Sequence, residues 1–261
     1  GAQPDTHDFH LKRQALMLGV EMRLREAIRS DTARIKATGP PSPGLMARGL
    51  TFRTNLPPCV HAIFDESLAP KGYAYLIALW GRGTLAVSGR GEMRNKTAHL
   101  LDAVSRFKQI LNFNLEDSKP FCGVAAIYSG KTGVGLPVGE AAGLQDGMWG
   151  FGMRFAFLSG YLAAKSITEG SSYWALLKQE AIPLAKSGVV NRFIFEALGS
   201  AGHWWLLRRL SSSPDSRPFL QRFYKPYALK CALYPLAWRR VRSFRRPKEF
   251  VPLRGDLQWQ R

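Results

Sequence analysis

Val138-Gly139-Glu140-Ala141-Ala142-Gly143, followed after three residues by Gly147-Met148-Trp149-Gly150-Phe151-Gly152-Met153, is the stretch that decides the fold. Leu136 to Val138 reads as a short strand, the glycines and alanines as a loop of small residues, and Met153 to Ile167 as a helix with apolar residues at helical spacing. Small side chains let backbone N–H groups approach a ligand closely, and a helix start adds unpaired donors and partial positive charge, which suits an anionic cofactor such as a nucleotide. The same order also serves close packing of a helix on a sheet, so spacing alone leaves both uses open.

Upstream, Phe9 to Leu18 predicts a helix stopped by Gly19, and Val20 to Leu24 a short strand. Ala33 to Thr38 predicts another strand, closed by the run Gly39-Pro40-Pro41-Ser42-Pro43-Gly44, which forbids regular structure. Leu50 to Asn55, Val60 to Asp65, Tyr73 to Trp80 and Thr84 to Ser88 read as an antiparallel meander. Gly81-Arg82-Gly83-Thr84-Leu85-Ala86 fits a loose G-x-G-x-x-A pattern, but it joins two strand-like segments and is expected to be a hairpin turn. Thr97 to Leu111 returns to helical periodicity and Phe121 to Tyr128 to a strand. Ala125 to Thr132 nearly spells a phosphate loop, yet Ala125 stands where the first glycine belongs and no helix is expected after Thr132. Downstream, Tyr173 to Lys186 predicts a second helix, and Ser211 to Pro214 a linker setting off a small C-terminal appendage.

With 261 residues and 46% apolar content the chain can bury a substantial core. Its formal charge of +18, from 37 Lys and Arg against 19 Asp and Glu, creates a field that favours phosphates of lipid, cofactor or nucleic acid. That charge is concentrated between Arg192 and Arg246, where only Glu196 and Asp215 oppose it. Within this region His203-Trp204-Trp205-Leu206-Leu207-Arg208-Arg209 and Tyr234-Pro235-Leu236-Ala237-Trp238-Arg239-Arg240 alternate aromatic residues with arginine. Such segments suit an anionic lipid interface, single-stranded nucleic acid, or a solvated basic helix packed on its own domain.

Cys59, Cys122 and Cys231 form no CxxC pair, which excludes a zinc framework or a disulfide scaffold and fits a reducing compartment. His7, His10, His61, His99 and His203 lack metal-ligand spacing, so no metal site is expected. No Gly-x-Ser-x-Gly elbow occurs, and the adjacent acids Asp65 and Glu66 point to opposite strand faces, which leaves hydrolysis without candidates. No apolar run reaches membrane-spanning length and Gly1 to His10 is too polar for a signal peptide, so a cytoplasmic protein touching the inner membrane face only peripherally is expected.

The glycine stretch resembles the second flavin-binding motif of glutathione-reductase-like flavoproteins: Gly139, Ala141, Ala142, Gly143, Gly150, Gly152 and Ala156 match it. Glu140 replaces the usual Asp and is one methylene longer, and Gly147 stands where that family usually has Pro. Ala33-Arg34-Ile35-Lys36-Ala37-Thr38-Gly39-Pro40 is similar to the Ala-Thr-Gly strand end by which such proteins approach the dinucleotide. Ala69-Pro70-Lys71-Gly72-Tyr73-Ala74-Tyr75 is similar to the Pro-x-Gly-Tyr-x-Trp segment of geranylgeranyl reductases, with Tyr75 in place of Trp. These matches occur in the family's order between Phe9 and Lys186.

The resemblance implies an α/β fold: an incomplete FAD-binding Rossmann-like domain, an inserted antiparallel β-sheet substrate domain and a helical, basic C-terminal region. The expected divisions are 1–49 for the remainder of the FAD-binding domain, 50–130 for the substrate sheet with one helix, 131–187 for the second FAD-binding segment and its helices, and 188–261 for the basic aromatic region. The strand, G-x-G-x-x-G and helix that grip the FAD pyrophosphate in that family are not found, so the chain is expected to start just after them. Thr38, Gly39, Gly139, Glu140, Ala141, Ala142, Gly143, Gly150, Phe151, Gly152 and Met153 would contact FAD, with Glu140 on the ribityl chain and the helix start at the pyrimidine edge. Tyr73, Tyr75 and Trp149 would surround a lipidic substrate, although cross-strand packing explains the two tyrosines equally well. The implied reaction is reduction of a carbon–carbon double bond of an isoprenoid-like molecule, with NAD(P)H as reductant. A flavin monooxygenase or halogenase of the same fold, and a non-catalytic basic scaffold binding membrane or nucleic acid, are the alternatives; otherwise no nucleic acid partner is expected.

Overall fold

The computed structural model describes residues 6–26, 32–40, 44–90, 93–125, 128 and 135–242. It divides at Arg34 into two compact units. In the first, α1 (His7–Met17) is capped by Thr6, whose hydroxyl accepts from the Phe9 N–H at 3.3 Å. Gly19 then turns the chain at φ +80°. The strand expected at Val20 to Leu24 does not form: no strand pairs with it among the described residues, and Val20 and Leu24 are exposed.

The second unit is built on a five-stranded, wholly antiparallel sheet of β2 (Leu45–Arg53), β3 (Cys59–Ile63), β4 (Tyr73–Leu79), β5 (Arg82–Gly89) and β6 (Glu116–Ala125), in the order β3-β4-β5-β2-β6. The meander holds for β3, β4 and β5, but β2 pairs with β5 and β6 instead of β3. Pro57 and Pro58 follow β2 without N–H donors, so β2 and β3 cannot close a tight hairpin and the chain crosses to the far edge. The hairpin expected at Gly81 to Ala86 forms, but its turn is shorter and lies earlier: Trp80 (φ 49°) and Gly81 (φ 75°) are both left-handed as a type I′ turn requires, and Arg82 to Ala86 already belong to β5. Gly72, just before β4, has no room for a side chain: a Cβ there would lie 1.9 Å from the Ser88 carbonyl oxygen.

One face of this sheet carries α2 (Met93–Leu111). Leu100, Ala103, Val104 and Phe107 recur at i, i+3, i+4 and i+7 and pack on Leu50, Phe52, Leu76, Leu85 and Val87. By strand alternation and register, the other face presents Ala47, Gly49, Ala86, Ser88 and Gly123 beside Tyr73 and Tyr75, with the Phe121 ring lying against Gly49. The two edges differ: β6 carries charges and Pro120, whereas β3 has no Asp, Glu, Lys or Arg, with Val60 73% exposed. β6 begins five residues before the expected Phe121 and is described to Ala125; the near-phosphate loop continuing to Thr132 lies outside the described residues.

A second, parallel pair consists of β1 (Ile35–Lys36), shorter than the expected Ala33 to Thr38, and β7 (Leu136–Pro137). After them come α3 (Met153–Glu169), α4 (Tyr173–Glu180), α5 (Ile182–Ser211), α6 (Arg217–Tyr224) and α7 (Ala228–Arg242). The helix expected to continue to Lys186 ends at Glu180, and Pro183 begins α5, where its missing N–H is no loss. α5 is broken at Gly199 (φ 50°, ψ −136°). Leu144, Phe155, Leu162, Leu177, Val189 and Val190 form the helical core, against which Leu233, Tyr234 and Trp238 of α7 pack. Residues 211–214 therefore join helices of one core and do not set off an appendage.

Candidate functional site

The ends of β1 and β7 lie side by side, with the Val138 N–H donating to the Lys36 carbonyl at 2.8 Å. Thr38 and Gly39 (φ 80°) thus leave one parallel strand where Gly139 leaves its neighbour, at the carboxyl ends where α/β sheets form their crevices. Gly139 (φ 55°) opens a single 3-10 turn through Ala142, and Gly143 (φ 68°) closes it. The Ser159 hydroxyl on α3 accepts the Gly139 N–H at 2.7 Å, and a Cβ on Gly139 would meet Ala156 at 3.4 Å. The matching Ala156 is therefore the small residue that lets α3 press against this turn.

From Leu144 to Gly152 the chain doubles back: the Asp146 N–H donates to the Phe151 carbonyl at 3.0 Å, and the Gly150 N–H to the Asp146 carbonyl at 2.9 Å. Gln145 Nε2 adds a 2.6 Å bond to the Gly150 carbonyl. Gly152 then starts α3, and no side chain caps that N-terminus. A Cβ on Gly152 would lie 3.6 Å from Glu140 Oε1, so the carboxylate and the uncapped helix start share one spot. Partial burial raises the Glu140 pKa, opposed by a hydrogen bond from Gln145. Phe151 and Met153 are exposed beside it.

Tyr73, Tyr75 and Trp149 do come together. Tyr73 is buried, donates its hydroxyl to the Trp149 carbonyl at 2.6 Å and sets its ring edge-on to Trp149 at 5.4 Å, with Tyr75 at 5.9 Å. Burial, with Tyr75 and Asp146 nearby, raises the Tyr73 pKa. Phe64, Phe195 and His203 extend this aromatic group; His203 stacks on Phe195 at 4.1 Å, and its Nε2 lies 3.8 Å from Glu66 Oε1. Burial lowers the His203 pKa, and Glu66 opposes the shift.

Beneath the loop is a set of buried polar groups that sequence reasoning missed. Asp146 accepts the Met148 and Trp149 N–H groups at 3.1 and 3.0 Å and the Tyr224 hydroxyl from α6 at 2.8 Å. Burial still pushes its carboxyl above the ordinary range. Arg192, 1% exposed, donates to Glu196 at 2.6 Å, to the Met148 carbonyl at 3.0 Å and to the Lys71 carbonyl before β4. Glu196 also pairs with Arg90 at 2.6 Å, and Arg90 donates to the Val241 carbonyl of α7 at 2.8 Å. Burial lowers the Arg192 pKa, and Glu196 is the main opposing influence. Gly147, the departure from the family pattern, touches α5: a Cβ there would lie 2.9 Å from the Val189 nitrogen. One signal was available, because Glu196 is an isolated acid in a run of cations and sits four residues after Arg192.

No protein-family model matches the chain, and no curated protein matches it. Solved structures do. A geranylgeranyl bacteriochlorophyll reductase-like protein from Thermoplasma acidophilum superposes with a TM-score of 0.52 at 16% identity, over 76% of this chain and 55% of that one. A flavin-dependent brominase, Bmp2, studied as a triple mutant, superposes with a TM-score of 0.51 at 14% identity, over 89% of this chain and 74% of that one. The chain thus shares a mixed α/β fold with these two proteins and spans little more than half the length of the reductase-like protein.

Proposed function

We propose that this chain is the flavin-holding and substrate-facing portion of an FAD-dependent oxidoreductase that reduces a carbon–carbon double bond in a lipidic, isoprenoid-like substrate. The observation that carries the reading is the meeting of Glu140 with the uncapped start of α3 at Gly152. A carboxylate there accepts from the hydroxyls of a polyol chain, and free helix N–H groups stabilise negative charge at a ring edge. The residues present fit FAD: Thr38, Gly39, Gly139, Glu140, Ala141, Ala142 and Gly143 would hold its linear part, and Gly150, Phe151, Gly152 and Met153 the ring edge.

Bound FAD would supply hydride-transfer chemistry, with NAD(P)H as the source. The chain's own part is positional. Asp146 and Arg192 fix both sides of the loop carrying Gly150 and Gly152. Tyr73, Tyr75, Trp149 and Phe64 make an aromatic wall on the sheet face that carries Ala47, Ala86 and Gly123, a setting that suits an apolar, chain-like substrate. The Tyr73 hydroxyl is committed to the Trp149 carbonyl, and burial, by raising its pKa above the ordinary value, keeps it a donor into alkaline solution.

A halogenase or monooxygenase is the second reading, favoured by the brominase covering 89% of this chain against 76% for the reductase-like protein. The test is flavin content, measured by absorption after removal of free FAD, for the full chain alone and mixed with a strand–Gly-x-Gly-x-x-Gly–helix unit. Retained flavin in either preparation supports the flavoenzyme; none in both sinks it in favour of a non-catalytic scaffold. With flavin bound, NAD(P)H-dependent loss of an isoprenoid double bond supports the reductase, and oxygen-dependent consumption of bromide the halogenase.

A further inference from the structure

Gly199 splits α5 so that the segment from Ser200 to Ser211 takes its own direction. Its inner face buries Gly202, His203 and Leu206. Its outer face presents Trp204, 61% exposed, and Trp205, 44% exposed, with Arg208 and Arg209 each one turn further on. Trp204 with Arg208 and Trp205 with Arg209 are i, i+4 pairs, so two columns run side by side, each indole followed by a guanidinium. Arg208 lies over the Trp204 ring at 5.1 Å.

Two neighbouring indoles left in water are unfavourable and mark a surface that meets something. The charge says what. Glu196 is enclosed between Arg90 and Arg192, and Asp215 is bonded to Arg217 at 2.9 Å, so the two acids of this region are already engaged. A positive, indole-bearing helix face suits the headgroup level of a bilayer with anionic lipids, where indoles partition and arginines are attracted. Stacking by nucleic-acid bases fits less well, because Arg208 already covers Trp204 and Trp205 sets its edge against Phe219 at 6.0 Å. No described helix is long and apolar enough to cross a membrane, so contact of this kind is interfacial.

We infer that the outer face of residues 200–211 docks the protein on an anionic lipid surface. This holds whether or not flavin is bound. The experiment is co-sedimentation of the full chain with phosphatidylcholine vesicles with and without phosphatidylglycerol. Binding is expected only with phosphatidylglycerol, and is expected to weaken with salt. Arg208→Gln with Arg209→Gln lowers the partition coefficient about five-fold per arginine. Trp204→Ser with Trp205→Ser lowers it about tenfold with an unchanged circular dichroism spectrum. Absence of binding to phosphatidylglycerol vesicles, equal binding by the tryptophan variant, or tighter binding to a single-stranded RNA oligomer that the tryptophan variant retains would each overturn the inference.

Discussion

The glycine turn at 139–152 and the charged groups beneath it make opposite use of the sequence. The bends of the turn are assembled from neighbours: Asp146 bonds to Phe151 and Gly150, Gln145 to Gly150, and Gly139 to Ser159, none of them more than twenty positions apart. The charged groups are assembled from distance, with Arg192 reaching Met148 across 44 positions and Lys71 across 121, and Tyr224 reaching Asp146 across 78. A local device can be recognised by pattern, whereas a long-range one exists only after the chain has folded. The turn therefore offers the chemistry, and the buried charges hold it in place.

Removing Arg192 is the strongest way to break this division. Arg192→Leu leaves the Met148 and Lys71 carbonyls without their donor and Glu196 with Arg90 alone. A loss of about 3–5 kcal/mol in urea unfolding is expected. A loss below about 1 kcal/mol would mean that the loop stands without its distant support.

Glycines sharpen the contrast next. Gly147→Ala forces a Cβ against the backbone of Gly188 and Val189 and is expected to destabilise by about 2 kcal/mol. Gly160 lies within α3 with nothing within 4 Å of its Cβ position, and Gly160→Ala is expected to stabilise by about 0.5–1 kcal/mol. Thermal melts of the two variants should move in opposite directions.

Alkaline titration addresses Tyr224. Burial, then the neighbouring Asp146 charge, raises its pKa, so the folded protein holds the phenolic proton where the unfolded chain releases it. The stabilisation is fully present below the unfolded value of about 10 and is lost as pH rises above it, at up to about 1.4 kcal/mol per pH unit for one group. Urea midpoints measured through this range should fall more steeply for the parent than for Tyr224→Phe.

The smallest effect on stability belongs to Glu140. Being only partly buried, Glu140→Gln should change unfolding by no more than about 0.5 kcal/mol. On the flavin reading it weakens FAD binding about tenfold by equilibrium fluorescence, because the hydrogen bonds accepted from the ribityl chain lose their charge. Glu140→Asp should retain more affinity than Glu140→Gln; equal affinity in all three proteins would remove Glu140 from the proposed site.

What was legible follows the same division. The turn, the start of α3, the existence of a hairpin after Leu79 and the periodicity of α2 rest on conformational demands within a few residues, although the hairpin's turn lies at Trp80 and Gly81, ahead of most of the Gly81 to Ala86 stretch. The place of β2 between β5 and β6 depends on pairing between distant segments, which strand propensity does not encode. Val20 to Leu24 has strand-like composition but no partner strand among the described residues. Tyr73 shows how two readings converge: it packs across the sheet, as its strand position requires, and its hydroxyl also fastens the loop through the Trp149 carbonyl.

The unequal sheet edges bear on how the protein behaves when concentrated. Lys119 and Pro120 make β6 a poor template for an incoming strand. The β3 edge has no such guard, and its exposed Val60 offers a sticky contact to any chain that aligns there. Any aggregation during expression or storage is expected to start at β3, and a charged residue at position 60 is the first change to make for a longer shelf life.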